Sequence, residues 1–194
     1  MKNIVITGHL NGIGKALHDE SLKRGFNVIG FDLNNGYDIN DESTRNTIIE
    51  KAIDADIFIN NAYAPESQTI LLKMILDSWQ DRKKLIININ SKISFLGPMS
   101  PEIEERIPFV RQYYLDKSKQ LLISREHLKT KKYPLLLNVL PGYVLTDFSK
   151  KINPGVGIKP ETVAKMIFSN LEFMDEITVN ELMIDCPVNP VINP

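Results

Sequence analysis

Cysteine is nearly absent: one thiol, Cys186, in 194 residues. A single cysteine closes no internal disulfide and builds no ordinary zinc site, which points to a reducing compartment. Long apolar runs are missing too. No stretch approaches the roughly 20 apolar residues that span a bilayer, and Ile4-Val5-Ile6 is too short for the core of a secretory signal. Nor does charge of either sign dominate, since 23 Lys+Arg face 24 Asp+Glu, for a net charge of −1. Without a basic footprint, neither a nucleic acid nor a membrane is an expected partner. What is left is a chain with 43% apolar residues, long enough to bury a core in one domain. The composition predicts a cytoplasmic protein whose residues 1–194 form a single domain, with 186–194 as a Pro-bearing tail.

Short Val/Ile-rich runs alternate with amphipathic stretches. Strands are predicted at 4–6, 28–31, 56–59, 85–89, 135–140 and 181–185. Helices are predicted at about 13–24, 41–53, 71–82 and 110–129, and a last one opens at Pro160. Strands apolar on both faces suit a parallel sheet covered on both sides. The pattern therefore predicts an α/β protein, a Rossmann-like doubly wound parallel sheet with helices on both faces. No metal site is expected.

The first strand runs into Thr7-Gly8-His9-Leu10-Asn11-Gly12-Ile13-Gly14, and a helix follows. Glycines at such a turn let backbone N–H groups approach a pyrophosphate, and the helix N-terminus adds partial positive charge. Asp32 ends the second strand, 18 residues beyond Gly14, where a carboxylate can bond the ribose hydroxyls of an adenosine. Loop and acid together predict a dinucleotide site. The carboxylate would repel a 2′-phosphate and Gly8–Gly14 contains no Arg or Lys, so NAD is expected over NADP. Lys15, one residue past the loop, could point either way.

The spacing T-G-x-x-x-G-x-G resembles that of the short-chain dehydrogenase/reductase family, and further matches follow in that family's order. Asp32-Leu33 and Tyr37-Asp38-Ile39 resemble its adenosine-binding segments, Asp38 standing where an Asp bonds the adenine. Asn60-Asn61-Ala62 resembles its N-N-A-G turn, with Tyr63 in place of the glycine. Ser91 follows a strand end similar to the one that carries the family's active-site serine. Tyr113-x-x-x-Lys117 matches the catalytic pair, and Asn138 to Thr146 reads N-x-x-P-G-x-V-x-T, which resembles the family's segment at the nicotinamide end. Each fragment is common alone; their shared order is what carries the resemblance. It implies that Ser91, Tyr113 and Lys117 are catalytic. It further implies that Gly8, Asn11, Gly12, Ile13, Gly14, Asp32, Leu33, Asp38, Ile39, Asn61, Ala62, Tyr113, Lys117, Pro141, Gly142, Val144 and Thr146 bind the cofactor.

Those residue types suit the chemistry. Tyr113 and Lys117 are four apart on a helix and share a face. A phenol titrates near 10, and a neighbouring ammonium is expected to lower that value toward what acid–base work needs. By resemblance Tyr113 is the acid/base, Lys117 also holds the nicotinamide ribose, and Ser91 orients the carbonyl. Tyr114 lacks a lysine four residues on, position 118 being Ser, and Ser94 falls three residues past the strand end.

Three departures stand out. The segment between Asn61 and Ser91 is short and carries no asparagine before Asn88, whereas the family places one there in a proton relay; Gln68 is the nearest polar substitute. Ser91 and Tyr113 are 22 residues apart, and the extra piece at 97–109 reads either as a surface loop or as a substrate-facing lid. The stretch from Thr146 to Pro160, where the family often builds a lid, is short. Neither segment shows an arginine fork or an aromatic cage, Arg106 and Arg111 being isolated, so the sequence names no substrate.

The expected function is an NAD(P)-dependent oxidoreductase moving a hydride between nicotinamide and a ketone or secondary alcohol. The alternative is a dinucleotide-binding sensor or scaffold with little or no catalysis. A nucleotide-sugar epimerase is disfavoured, because almost no chain follows the last strand. A small-molecule carbonyl or alcohol would be the partner, and the resemblance allows a homodimer or homotetramer.

Overall fold

Each Val/Ile-rich run becomes a strand and each amphipathic stretch a helix in the computed structural model, which describes residues 2–130, 133–150, 155–173 and 176–186. Of the anticipated tail, only Cys186 lies among them. The strands are β1 (Asn3–Thr7), β2 (Asn27–Phe31), β3 (Ile57–Asn60), β4 (Leu85–Ile89), β5 (Leu135–Pro141) and β6 (Glu181–Ile184). The longer helices are α1 (Gly12–Lys23), α2 (Glu42–Ala52), α3 (Ser67–Ser78), α6 (Val110–Thr130) and α8 (Pro160–Leu171). Shorter ones are α4 (Ile93–Leu96), α5 (Pro101–Arg106) and α7 (Asp147–Lys150). The insertion at 97–109 thus contains a helix, α5, with Pro101 in its first turn and Glu102 and Glu104 at its positive end. Helix α3 starts four residues earlier than the apolar pattern suggested, because Glu66 turns the chain at φ 61° directly before Ser67.

The six strands are all parallel in the order β2-β1-β3-β4-β5-β6. Compared with the classic order 3-2-1-4-5-6, no strand lies outside β2 among the described residues. Successive side chains alternate between two cores. Ile4, Ile6, Ile57, Ile59, Ile87 and Val139 pack with Leu17 of α1 and Ile167 and Phe168 of α8. Val5, Phe58, Ile86 and Leu136 pack with Ile48 of α2 and Leu71, Leu72 and Ile75 of α3. Helix α6 lies on that second side, against α3. The chain therefore changes face between β1 and β3, which opens a crevice at the carboxyl ends of those strands.

One row of the sheet is polar. Asn60, Asn88 and Asn138 are in register on β3, β4 and β5, and none is exposed. Asn60 Nδ2 donates to Asn88 Oδ1 at 2.9 Å, and Asn88 Nδ2 donates to Asn138 Oδ1 at 3.0 Å. This ladder lies beneath α3 and α6. No helix among the described residues is long and apolar enough to cross a membrane.

Candidate active site

The crevice between β1 and β3 is lined by backbone because its glycines leave no room for anything else. Gly8 and Gly12 adopt φ of 72° and 54°. A Cβ on Gly14 would stand 1.9 Å from the Gly8 carbonyl oxygen, and one on Gly12 would stand 3.1 Å from Thr146 Cγ2. Helix α1 begins there with Asn11 making no side-chain cap and no acid in its first turn, so its N–H groups and positive end are left for an anion. Asn61 holds the rim, its Nδ2 donating to the carbonyls of Thr7 and Gly8 at 2.9 and 3.1 Å. Thr7 Oγ1 accepts from the N–H groups of Asn61 and Ala62, both at 3.0 Å. A pyrophosphate fits this cradle.

Asp32 is buried at the end of β2, and its carboxylate pins the loop. One oxygen accepts from Leu10 N–H at 3.1 Å and the other from Asn34 N–H at 2.9 Å. Lys15 turns away from the loop to Asp19, at 2.7 Å. Leu33 is exposed beyond Asp32, Asp38 accepts from Asn40 N–H at 2.9 Å, and the Ile39 side chain enters the α2–α3 core. Ile13 packs toward the opposite core. On the far side of the crevice, the Pro141 carbonyl accepts from Lys92 N–H at 2.9 Å, and Gly142 N–H donates to Ile184 O at 2.8 Å. Val144 is buried and bridges to Ile158.

At the carboxyl end of β4, Ser91 meets α6. Asn90 fixes this corner, its Oδ1 accepting from Ser91 N–H at 2.8 Å and its Nδ2 donating to the Lys117 carbonyl at 3.1 Å. The Ser91 hydroxyl lies close enough to the Tyr113 phenol to favour its ionised form. It is Tyr113 rather than Tyr114 that Ser91 reaches, and Ser94 instead donates locally to the Ser91 carbonyl at 2.7 Å. Lys117 Nζ stands 5.4 Å from the ring centroids of both Tyr113 and Tyr63.

The electrostatics depart from expectation in one respect. Burial pushes the Tyr113 phenol up to about 12, partly opposed by the nearby Ser91 hydroxyl, and Lys117 does not lower it. The reason is where the ammonium points. Lys117 Nζ donates to Gln68 Oε1 at 2.7 Å and to Ile89 O at 2.8 Å, and its own value falls to about 7 because it is buried, with Asp116 opposing.

Gln68 is far more deeply engaged than its place in the sequence suggests. Fully buried in the first turn of α3, it accepts from Lys117 and from Gln120 Nε2 at 3.2 Å, and donates to the Asn60 and Ile89 carbonyls at 3.0 and 3.1 Å. Through Gln120, whose Oε1 accepts from Asn88 Nδ2 at 3.2 Å, the lysine is tied to the asparagine ladder. Tyr63, in sequence only the residue that replaces a glycine, also belongs to the site. Its hydroxyl donates to buried Asp116 at 3.0 Å, and its ring meets Tyr113 edge-on at 4.9 Å. Asp116 also accepts from Glu66 N–H at 3.2 Å and Gln112 Nε2 at 2.9 Å. Burial and the Asp116 charge together raise the Tyr63 phenol well above its ordinary value.

The two segments that flank the site are also joined. Phe109, from the insertion, and Phe148, from the short stretch after β5, have ring centroids 5.5 Å apart, and Phe148 stands 5.5 Å from Tyr113. The aromatic cluster that neither segment shows in sequence is thus assembled from both.

No family model and no curated protein matches the chain in sequence. Solved structures do match in shape. A 3-alpha-hydroxysteroid dehydrogenase from Pseudomonas sp., complexed with NADH, superposes with a TM-score of 0.71 at 19% identity, covering 95% of each chain. The fold is that of the short-chain dehydrogenases and reductases. A short-chain dehydrogenase from Burkholderia cenocepacia in complex with NADP matches at 0.72 and 17% identity, covering 96% of this chain and 90% of its own. An alcohol dehydrogenase from the archaeon Thermococcus sibiricus, complexed with 5-hydroxy-NADP, matches at 0.71 and 18% identity over 100% and 98%. Within this fold Ser91, Tyr113 and Lys117 lie at the carboxyl end of the sheet, where open α/β folds bind ligands.

Proposed function

We propose that the chain is an NAD(P)-dependent oxidoreductase acting on a ketone or secondary alcohol. One observation carries the reading: the Ser91 hydroxyl, the Tyr113 phenol and the Lys117 ammonium converge beside a glycine crevice shaped for a pyrophosphate. When bound, the nicotinamide dinucleotide supplies or takes up the hydride exchanged with the carbonyl carbon. Tyr113 gives its proton to the carbonyl oxygen in reduction and takes it back in oxidation. With a phenol held near 12, Tyr113 stays protonated at neutral pH, which suits the reductive direction. Ser91 donates to the same oxygen and orients it. Lys117 holds the cofactor ribose. Gly8, Gly12, Gly14 and the start of α1 cradle the diphosphate, and Asn61 and Ala62 line the adenosine side. NAD is favoured over NADP, because Asp32 puts a carboxylate at the end of β2 and Lys15 is committed to Asp19.

A second reading, a dinucleotide sensor with little catalysis, draws on the undepressed phenol and on a lysine already occupied by Gln68. One experiment separates the two. Purified protein given NADH and a panel of carbonyl compounds is expected to consume the reduced cofactor, and Tyr113→Phe to slow it 100-fold or more while cofactor affinity is retained. Tight NADH binding with no turnover across the panel would favour the sensor.

A further inference from the structure

The rings that gather at Tyr113 come from segments before α6 and after β5. Phe109 immediately precedes α6 and Phe148 lies in α7; their planes meet at 62°, and Phe148 is inclined at 43° to Tyr113. Both phenylalanines keep much of their surface in water, at 41% and 45% exposure. Helix α4, which continues directly from Ser91 and packs on α6, adds Phe95 and Leu96, each 59% exposed. The Tyr113 hydroxyl that would meet a carbonyl oxygen therefore belongs to a ring packed against partly exposed aromatic surface, with further exposed apolar side chains on the neighbouring α4. Neighbouring lysines do not convert it into an anion site: Lys150 is held by Asp147 at 2.9 Å, and Lys92 is paired with Asp185. Exposed aromatic rings beside convergent polar groups are how a site selects a ligand with an apolar, planar body and one polar end.

We propose that the substrate is an aryl or similarly planar, uncharged carbonyl compound, or the matching secondary alcohol, seated ring against ring on Phe109 and Phe148 with its oxygen at Tyr113 and Ser91. The assignment rests on the oxidoreductase reading above and names the substrate class for it. It makes Phe109 and Phe148 specificity-determining, and it gives the insertion and the short stretch after β5 a common purpose, since each contributes half of an aromatic platform.

The test is a selectivity ratio. NADH consumption is followed with acetone, acetophenone and acetylnaphthalene, and kcat/KM is expected to rise about tenfold or more from the first to each aryl ketone. In Phe109→Ala/Phe148→Ala the ratio of acetylnaphthalene to acetone is expected to fall about tenfold, with Phe148→Leu intermediate because it keeps bulk without a ring. Thermal melts of all three proteins show that each is folded. A wild-type ratio near one, or a ratio that the double variant leaves unchanged, overturns the proposal. If no ketone is reduced, the oxidoreductase reading fails by itself, and titration calorimetry with acetylnaphthalene then reads the aromatic platform directly. Binding weakened about tenfold in the double variant supports the platform, and absence of binding to the wild type removes it.

Discussion

Replacing Gln68 by leucine should destabilise this protein strongly, because its side-chain amide is a hub of the buried polar network. The amide makes four hydrogen bonds, to Lys117, Gln120 and the carbonyls of Asn60 and Ile89. Leucine of similar volume leaves Lys117 with Ile89 O as its remaining acceptor, and leaves Gln120 Nε2 without this partner. A hydrogen bond to a charged group contributes about 1.5–3 kcal/mol, and each orphaned buried polar group costs about 1–3 kcal/mol, so a loss of roughly 3 kcal/mol or more is expected. The pH dependence identifies the cause. Lys117 titrates near 7 in the folded protein and near 10.5 unfolded, so between these values the unfolded chain binds more protons and stability rises with pH. The slope is at most about 1.4 kcal/mol per pH unit for one group. Removing an acceptor from the ammonium should start that rise roughly one to two pH units lower, and Gln68→Glu, which offers a carboxylate, should start it higher. Urea unfolding from pH 5 to 9 measures both. Should Gln68→Leu lose less than about 0.5 kcal/mol and keep the wild-type onset, Gln68 does not hold the lysine and the reasoning is refuted.

Other consequences can be checked alongside. Gly14→Ala places a methyl group against the Gly8 carbonyl, so NADH affinity should fall by at least tenfold in a fluorescence titration, with a lower melting temperature. Tyr63→Phe removes one of the three donors on buried Asp116 and should cost about 1–3 kcal/mol in urea unfolding, while Tyr63→Trp, too large for the edge contact with Tyr113, should also slow turnover. Stability should decline as pH rises from 10 to about 12, because the folded protein holds the Tyr113 proton that the unfolded chain releases; Tyr113→Phe should lessen that decline.

What could be read from the sequence was short-range. Strands announced themselves as Val/Ile runs, and the sheet's parallel character followed from their being apolar on both faces. The glycine turn and the Tyr113–Lys117 pair were visible because each lies within one turn or loop. The contacts that individualise the site join distant positions: Gln68 to Lys117 across 49 residues, Tyr63 to Asp116 across 53, Phe109 to Phe148 across 39. No periodicity encodes such pairs. Expecting the ammonium to depress the phenol failed for the same reason, since proximity along a helix does not say that Nζ will be captured by an amide from another helix.

The in-register asparagines on β3, β4 and β5 bear on how the chain reaches this arrangement at all. A slip of one residue in any of these strands would carry an amide into the Ile- and Leu-filled layer under α1 and α8, and a greasy side chain into the amide row. Misaligned pairings are thus penalised twice over, so the ladder acts as a key that admits one alignment of the central strands. Because Lys117 hangs from the same amides, whatever proofreads the sheet also sets the height of the ammonium above it.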